Sequence, residues 1–386
     1  MIRFFPNSQD FSRNLKQHGK VTIIMRTKDR PVLLARALAS VLAQTYDNWH
    51  LSLINDGGDP EAVNQLLKIH AATFRGRLTV KHHAQSLGME AASNAAIAGT
   101  SGDYLVVHDD DDSWRPTFLE ETVAFLENPR NARYVAVATK CEVVREEIIN
   151  FRIIEREVKP FPYWRERIDL AEMLVGNAIP NICLLIRREV IKQIGSYNAD
   201  LPVLGDWDYN LRILLLGDIG TIDQSLACYH QRGSHDASDS YGNSIHAGLN
   251  KHLDYQVLYR NSLLRMQLVK QPEFTGMMHT LLHQLSEQSQ QLNHLEQQLQ
   301  QAMEHRFNQL IEHQLEQAIE QRLKPMLEYH FQQIHDELQR AAFNDRQLAD
   351  DLRIYLRQMR KLLKPFRLIW LLIRPIWRLA KKLHGK

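Results

Sequence analysis

Short apolar, largely β-branched runs alternate with helix-patterned stretches through the first hundred residues, and each run ends in a polar cluster. That alternation constrains the fold more than any other property of the chain. Val21-Thr22-Ile23-Ile24-Met25 has the composition of a strand buried on both faces. Pro31 can open a helix, and Leu33, Leu34, Ala37, Leu38, Val41 and Leu42 follow at helical spacing. His50–Ile54 reads as a second strand, closed by the turn sequence Asn55-Asp56-Gly57-Gly58. A helix over 61–72, a strand over 77–82 and an Ala-rich helix over 89–98 come next. Tyr104–Val107 is another buried strand, and it runs straight into His108-Asp109-Asp110-Asp111-Asp112. Strands joined by helices in this way predict a parallel sheet with helices on both faces. Ligands of such sheets bind beyond the carboxyl ends of the strands. Arg26–Arg30, Asp56 and Asp109–Asp112 all fall at those ends and form the candidate site.

Composition divides the 386-residue chain near residue 250. Glycine is absent between Gly276 and Gly385, and Gln, Glu, Leu and His dominate there. The reading is a globular α/β domain over 1–250, a helical connector over 251–277, a helical extension over 278–363 and a cationic segment over 364–386. The net charge of +2 hides an asymmetry. Residues 352–386 carry eleven Lys/Arg and no Asp/Glu, which leaves 36 basic against 45 acidic side chains in the rest, or −9. The basic charge sits in a tail, so no nucleic-acid partner is expected. Cys141, Cys183 and Cys228 are odd in number and far apart, which argues against a disulfide scaffold. The first residues have no apolar core of signal-peptide length, so a cytoplasmic location is expected.

Four consecutive aspartates after a buried strand repel one another unless something cationic neutralises them. Their hard oxygens suit Mg²⁺ or Mn²⁺, which take one or two carboxylates together with substrate phosphates. A solvated acidic loop, or a cap for a helix starting near Ser113 and Pro116, would produce the same run. Its place at a strand end, with Trp114 directly after, favours the metal–phosphate reading. A second constellation is Gly205-Asp206-Trp207-Asp208-Tyr209-Asn210-Leu211-Arg212. There Asp206 either caps the helix that follows or acts as a general base beside Trp207. The first loop has no glycine, which excludes a dinucleotide-binding turn and a Gly-rich phosphate loop.

Val21–Arg30, the stretch Ser40-Val41-Leu42-Ala43-Gln44-Thr45-Tyr46, Asn55–Gly58, Gly88 to Asn94, His108–Trp114 and Gly205–Arg212 occur in one order over about residues 19–235. In that order they resemble the family 2 glycosyltransferases. The resemblance implies a GT-A fold, which is a doubly wound α/β domain, here followed by a long helical or coiled-coil extension. It also implies a nucleotide-diphosphate sugar donor, a glycan or lipid-linked acceptor, a divalent cation and inversion at the anomeric carbon, in surface-polysaccharide synthesis of bacterial type. Carried over by position, Asp56 contacts the nucleobase, and Arg26, Thr27 and Asp29, with Gly88 and Asn94, lie at the nucleotide. Asp109 reaches the ribose or the metal, Asp111 holds the metal, and Asp206 is the catalytic base. His230 is the candidate for a late metal or phosphate contact, with His235 as competitor. Three departures stand out. The first loop reads Met-Arg-Thr-Lys-Asp-Arg where many members have Pro-Thr-Tyr-Asn. Ser93 stands where an arginine often precedes Asn94, and Gly205 replaces the usual acidic residue.

From residue 278, Met278, Leu281, Leu285, Leu292, Leu295 and Leu299 follow the three-and-four spacing of a heptad seam interrupted by Gln288, and Met303, Phe307 and Leu310 continue in shifted phase. Eight of residues 284–301 are Gln, so the outer face is polar. A homo-oligomer through a coiled coil is expected, against the alternative of a hairpin folding back on its own domain. Pro325 is expected to break the helix. The terminal segment combines Phe366, Trp370 and Trp377 with regular cations, and its longest charge-free run, Leu368 to Ile373, cannot span a bilayer. It suits an anionic membrane surface on the inner face of the plasma membrane, or else a protein partner. The segment 231–250, rich in Ser, Asp and Gly, reads as a lid or a surface loop.

Overall fold

The computed structural model describes residue 11, residues 15–233 and 249–342, and residue 354. The expectations for 364–386, for His235 and for most of the 231–250 segment lie outside the described residues. The chain divides into two units, Met1–Lys270 and Gln271–Lys386.

The first unit starts as the sequence pattern requires. β1 (Val21–Thr27) is buried along nearly its whole length, and α1 (Pro31–Leu42) turns Leu33, Leu34, Ala37, Leu38 and Val41 inward. β2 (Trp49–Asp56), α2 (Pro60–Ile69), the single turn α3 (Ala71–Phe74), β3 (Leu78–His83), α4 (Met89–Ala98) and β4 (Tyr104–Asp109) complete the strand–helix alternation. β3, β2, β1 and β4 lie side by side and pair in parallel, so Thr27, Asp56 and Asp109 end at one edge of the sheet.

Beyond β4 the expected parallel sheet becomes mixed. After the two-residue β5 (Ser113–Trp114) and α5 (Phe118–Glu127), β6 (Ala136–Ile149) and β7 (Arg152–Pro160) form a long antiparallel hairpin. α6 (Leu170–Val175), β8 (Leu184–Arg187), α7 (Arg188–Ile194), α8 (Gly205–Leu214) and β9 (Ile219–Gln231) follow. The strand order is β3-β2-β1-β4-β8-β6-β9-β5, with β7 on β6. β8 pairs antiparallel with both β4, along Tyr104–Val106, and β6, so the direction of the sheet reverses beside β4. α9 (Leu249–Lys270) belongs to this unit, where the Tyr259 hydroxyl donates to Asp208 at 2.9 Å. The first compact unit thus includes α9, which occupies most of the 251–277 stretch read as a helical connector.

In the second unit α10 (Thr275–Ala318) is one continuous 44-residue helix with no buried residue. It passes through a π-helical turn at Ile319–Leu323 into α11 (Lys324–Ala342). Pro325 therefore does not break the helix. Proline lacks the N–H that would bond four residues back, and the wider turn just before it reroutes the ladder instead. Among the described residues no helix is long and apolar enough to cross a membrane.

Candidate active site

Asp109 ends β4, and the three aspartates after it turn into a cleft of about 890 Å³. Burial favours the neutral form of Asp109, Asp110 and Asp112. It pushes Asp110 up to about 7 and raises Asp109 and Asp112, each reinforced by its acidic neighbours. Arginines from other elements oppose this. Arg26 of β1 donates to Asp109 at 2.7 Å. Arg30 stands 3.5 Å from Asp110 and 3.4 Å from Asp111. Arg232, just after β9, donates to Asp111 Oδ2 at 2.5 Å. Arg36 of α1 donates to the Asp111 carbonyl at 2.5 Å.

Behind this layer Glu146 of β6 has a fully buried carboxylate, which accepts from Arg36, Arg232 and His230 at 2.5–2.7 Å. Burial alone would raise its pKa. The bonds from His230 and Arg36 reverse that and bring it down to about 2. Burial lowers His230 against the pull of Glu146. Arg36 and Arg232 place two permanent positive charges against the Glu146 carboxylate.

On the opposite wall, α8 begins at Gly205 after Leu204, which takes a left-handed conformation at φ 68°. Asp206 sits inside the first turn, so it does not cap the helix. Its Oδ2 accepts from Asn177 at 2.8 Å, and burial raises its pKa, which suits a proton acceptor. Trp207 donates its indole N–H to the Met173 carbonyl and forms part of the wall. Arg26, Thr27, Asp29, Asp56, Gly88, Asp109, Asp111 and Asp206 all line this one cleft.

Asn94 and His230 are not part of its wall. Both ends of the Asn94 amide are bonded to the backbone of Tyr197, which ties α4 to the segment before α8. His230 is 2 % exposed, with Nδ1 on Glu146 and Nε2 on Ser113. Asp56 lines the cleft, but its carboxylate is committed. It accepts from the backbone of Leu87 and Gly88, from Ser86 and from His83. These bonds outweigh burial and hold it below the ordinary carboxylate range. A nucleobase at Asp56 would have to displace one of them. The loop packs so closely here that Gly57, at φ 79°, could not carry a Cβ without striking the Ser86 backbone nitrogen.

Residues 22–195 match the family model for Glycosyl transferase family 2. Over that segment the chain is similar to the family 2 glycosyltransferases. An uncharacterised glycosyltransferase of Haemophilus influenzae is 25% identical over 223 residues, covering 56% of this chain and 67% of that protein. The putative colanic acid biosynthesis glycosyl transferase WcaA of Escherichia coli is 34% identical over 110 residues, covering 28% and 39%. The matched parts thus span between about two fifths and two thirds of these relatives. Among solved structures, TarS of S. aureus in complex with UDP-GlcNAc is 15% identical and covers 57% of this chain and 61% of that one, with a TM-score of 0.44.

Geometry explains one of the departures from the family pattern. Arg26 Nη1 donates to Ser93 Oγ at 2.7 Å, so a guanidinium from β1 stands over the small residue at 93. Arg36, Glu146 and Arg232 were not legible as site residues. Glu146 lies in a strand where an acid reads as solvent-facing, and the fold alone brings Arg232 across 121 residues of chain to Asp111.

The depressed pKa of Glu146 has a testable sign. Its stabilising contribution is present above the ordinary value of 4.5 and is lost as pH falls towards about 2. Glu146→Gln is expected to cost roughly 3 kcal/mol at neutral pH and to flatten stability between those limits. Urea midpoints measured against pH read this; an acid limb that overlays the wild-type curve would contradict it.

Proposed function

We propose that this chain is an inverting glycosyltransferase that moves a sugar from a nucleotide-diphosphate donor to a hydroxyl of a glycan or lipid-linked acceptor, in cell-surface polysaccharide synthesis. One observation carries the reading. Asp111 and Asp206, 95 positions apart in sequence, face the same cleft at the carboxyl ends of the parallel strands. Asp206 takes the proton of the acceptor hydroxyl, and the freed oxygen attacks the anomeric carbon. The bond to the diphosphate oxygen breaks on the opposite face, and its electron pair leaves with the nucleotide. Arg26 and Arg30 stand where the negative charge of the diphosphate collects.

The residues present fit a divalent cation, Mg²⁺ or Mn²⁺. They offer hard oxygens only, and Asp110 Oδ2 is buried without a hydrogen-bond partner among the described residues. Among the described residues no three His, Cys, Asp or Glu form a metal cage, so Asp109 and Asp111 would share the ion with diphosphate oxygens and water. When bound, the ion supplies neutralisation of charge on the leaving diphosphate.

The helical unit supports a further part of this reading. Leu285, Leu292, Leu295, Leu299, Met303, Phe307 and Leu310 are each more than half exposed along α10. A second copy of the chain would cover that stripe as a coiled coil. The segment 364–386 would hold the oligomer on anionic lipid at the cytoplasmic face of the plasma membrane, where lipid-linked acceptors are found.

Four outcomes are expected. Asp206→Asn should lower turnover about 10²–10⁴-fold with donor affinity little changed, whereas Asp111→Ala should abolish stimulation by Mn²⁺. Donor hydrolysis and nucleotide binding measure both, and full activity of Asp206→Asn would remove it from the mechanism. In sedimentation the full-length chain should associate with rising concentration, and a strict monomer would tell against the coiled coil. Full-length protein should float with anionic liposomes while residues 1–363 alone do not; equal flotation would show that the tail is not the anchor.

A further inference from the structure

Glu90 lies in the first turn of α4, in the wall of the cleft, and is only 8 % exposed. Its carboxylate occupies the space in which a side chain at position 205 would begin. A Cβ on Gly205 would run into Glu90 Oε1 and lie 2.5 Å from its Cγ. Gly205 is helical, so its backbone conformation does not call for glycine; room for Glu90 does. Residue 205 has thus given up its side chain to an acid delivered by another element.

Among the described residues no other residue donates a hydrogen bond to this carboxylate. Burial raises its pKa, and the Arg26 charge and its own backbone N–H only partly offset that. Arg26 is already bonded to Asp109 and Ser93. Its guanidinium thus sits in the shared field of three carboxylates, Asp109, Glu90 and Asp206. A carboxylate in the wall of a cleft that accepts from no other residue can take its donors from a ligand.

The position of Glu90 says which part of a ligand that is. Both Asp109, at the diphosphate end of the cleft in that reading, and Asp206, at the acceptor hydroxyl, stand near enough to Glu90 to act on its charge. In a direct displacement the group between those two ends is the sugar ring. We infer that Glu90 is a specificity-determining residue that accepts hydrogen bonds from hydroxyls of the transferred sugar, selecting a neutral hexose and rejecting a uronic acid. A sugar carboxylate there would face two or three acids across one arginine, whereas ring hydroxyls supply the missing donors. The inference rests on the transferase reading and deepens it.

The test uses full-length protein with Mn²⁺ and matched neutral and uronate donors: UDP-glucose with UDP-glucuronate, UDP-galactose with UDP-galacturonate, GDP-mannose with GDP-mannuronate. The wild type should turn over a neutral member and discriminate against its uronate. Glu90→Gln should raise KM for the neutral donor about tenfold, leave kcat within a few-fold and narrow the neutral-to-uronate ratio by about tenfold or more. A merely structural role would not move that ratio. The double variant Glu90→Ser with Gly205→Glu returns the carboxylate from α8 into the emptied space and should restore the discrimination, which keeps the idea testable if Glu90→Gln folds poorly. A wild type that turns over no donor sinks the transferase reading, and this inference with it. A wild type that prefers a uronate, or variants with unaltered KM and ratio, overturn the role of Glu90 alone.

Discussion

Four aspartates in a row cannot be packed against a buried sheet unless cations are brought to them, and most of the active-site architecture follows from that requirement. The cations come from three separate segments: Arg26 at the end of β1, Arg30 and Arg36 at and within α1, and Arg232 after β9. Glu146, with no exposure of its own, joins Arg36 and Arg232 into one unit and so fixes two of the three guanidiniums that reach Asp111. The result is a rigid second layer behind the acidic end of β4. Removing any one member leaves a buried charge uncompensated, which is why the network behaves as a unit rather than as separate pairs.

The sheet supplies the frame for this chemistry. Three parallel strands end together and place their loops at one edge, and the antiparallel β8 then reverses the direction of the sheet next to β4. That reversal opens the space in which α8 can present Asp206 towards Asp111. Asn177, on the segment between α6 and β8, orients the Asp206 carboxylate, while Asp56 gives up its own acceptors to hold the loop that precedes α4. The cleft is therefore built by polar groups of two kinds, those bonded to the protein and those left facing the ligand.

Two positions show function moving between elements. The small Ser93 lies under the Arg26 guanidinium, and the bare Gly205 lies beside the Glu90 carboxylate. In a sequence each reads as a missing charge. In space each is a vacated position filled by a longer side chain from a neighbouring element. Counting residues within a motif misses such exchanges, because the requirement is for a charge at a point and not for a residue at a number.

The sequence by itself determined the alternating half of the fold and the ends of its strands, because burial on both faces and helical periodicity are local properties. It located α4 to the residue and β1, β2 and β4 within a few residues, and the resemblance expected Asp109, Asp111 and Asp206 together, all three of which line the one cleft. Only the tertiary structure decided the mixed half of the sheet, since strand direction beyond β5 depends on pairings between distant segments. It likewise decided that His230 and Asn94 serve packing contacts outside the cleft, that Asp56 is committed to a loop, and that Glu146 is buried among arginines. A side chain's chemistry is written in its residue type, but its partners are set by what the fold brings within a few Å. For buried charges, partners outweigh type.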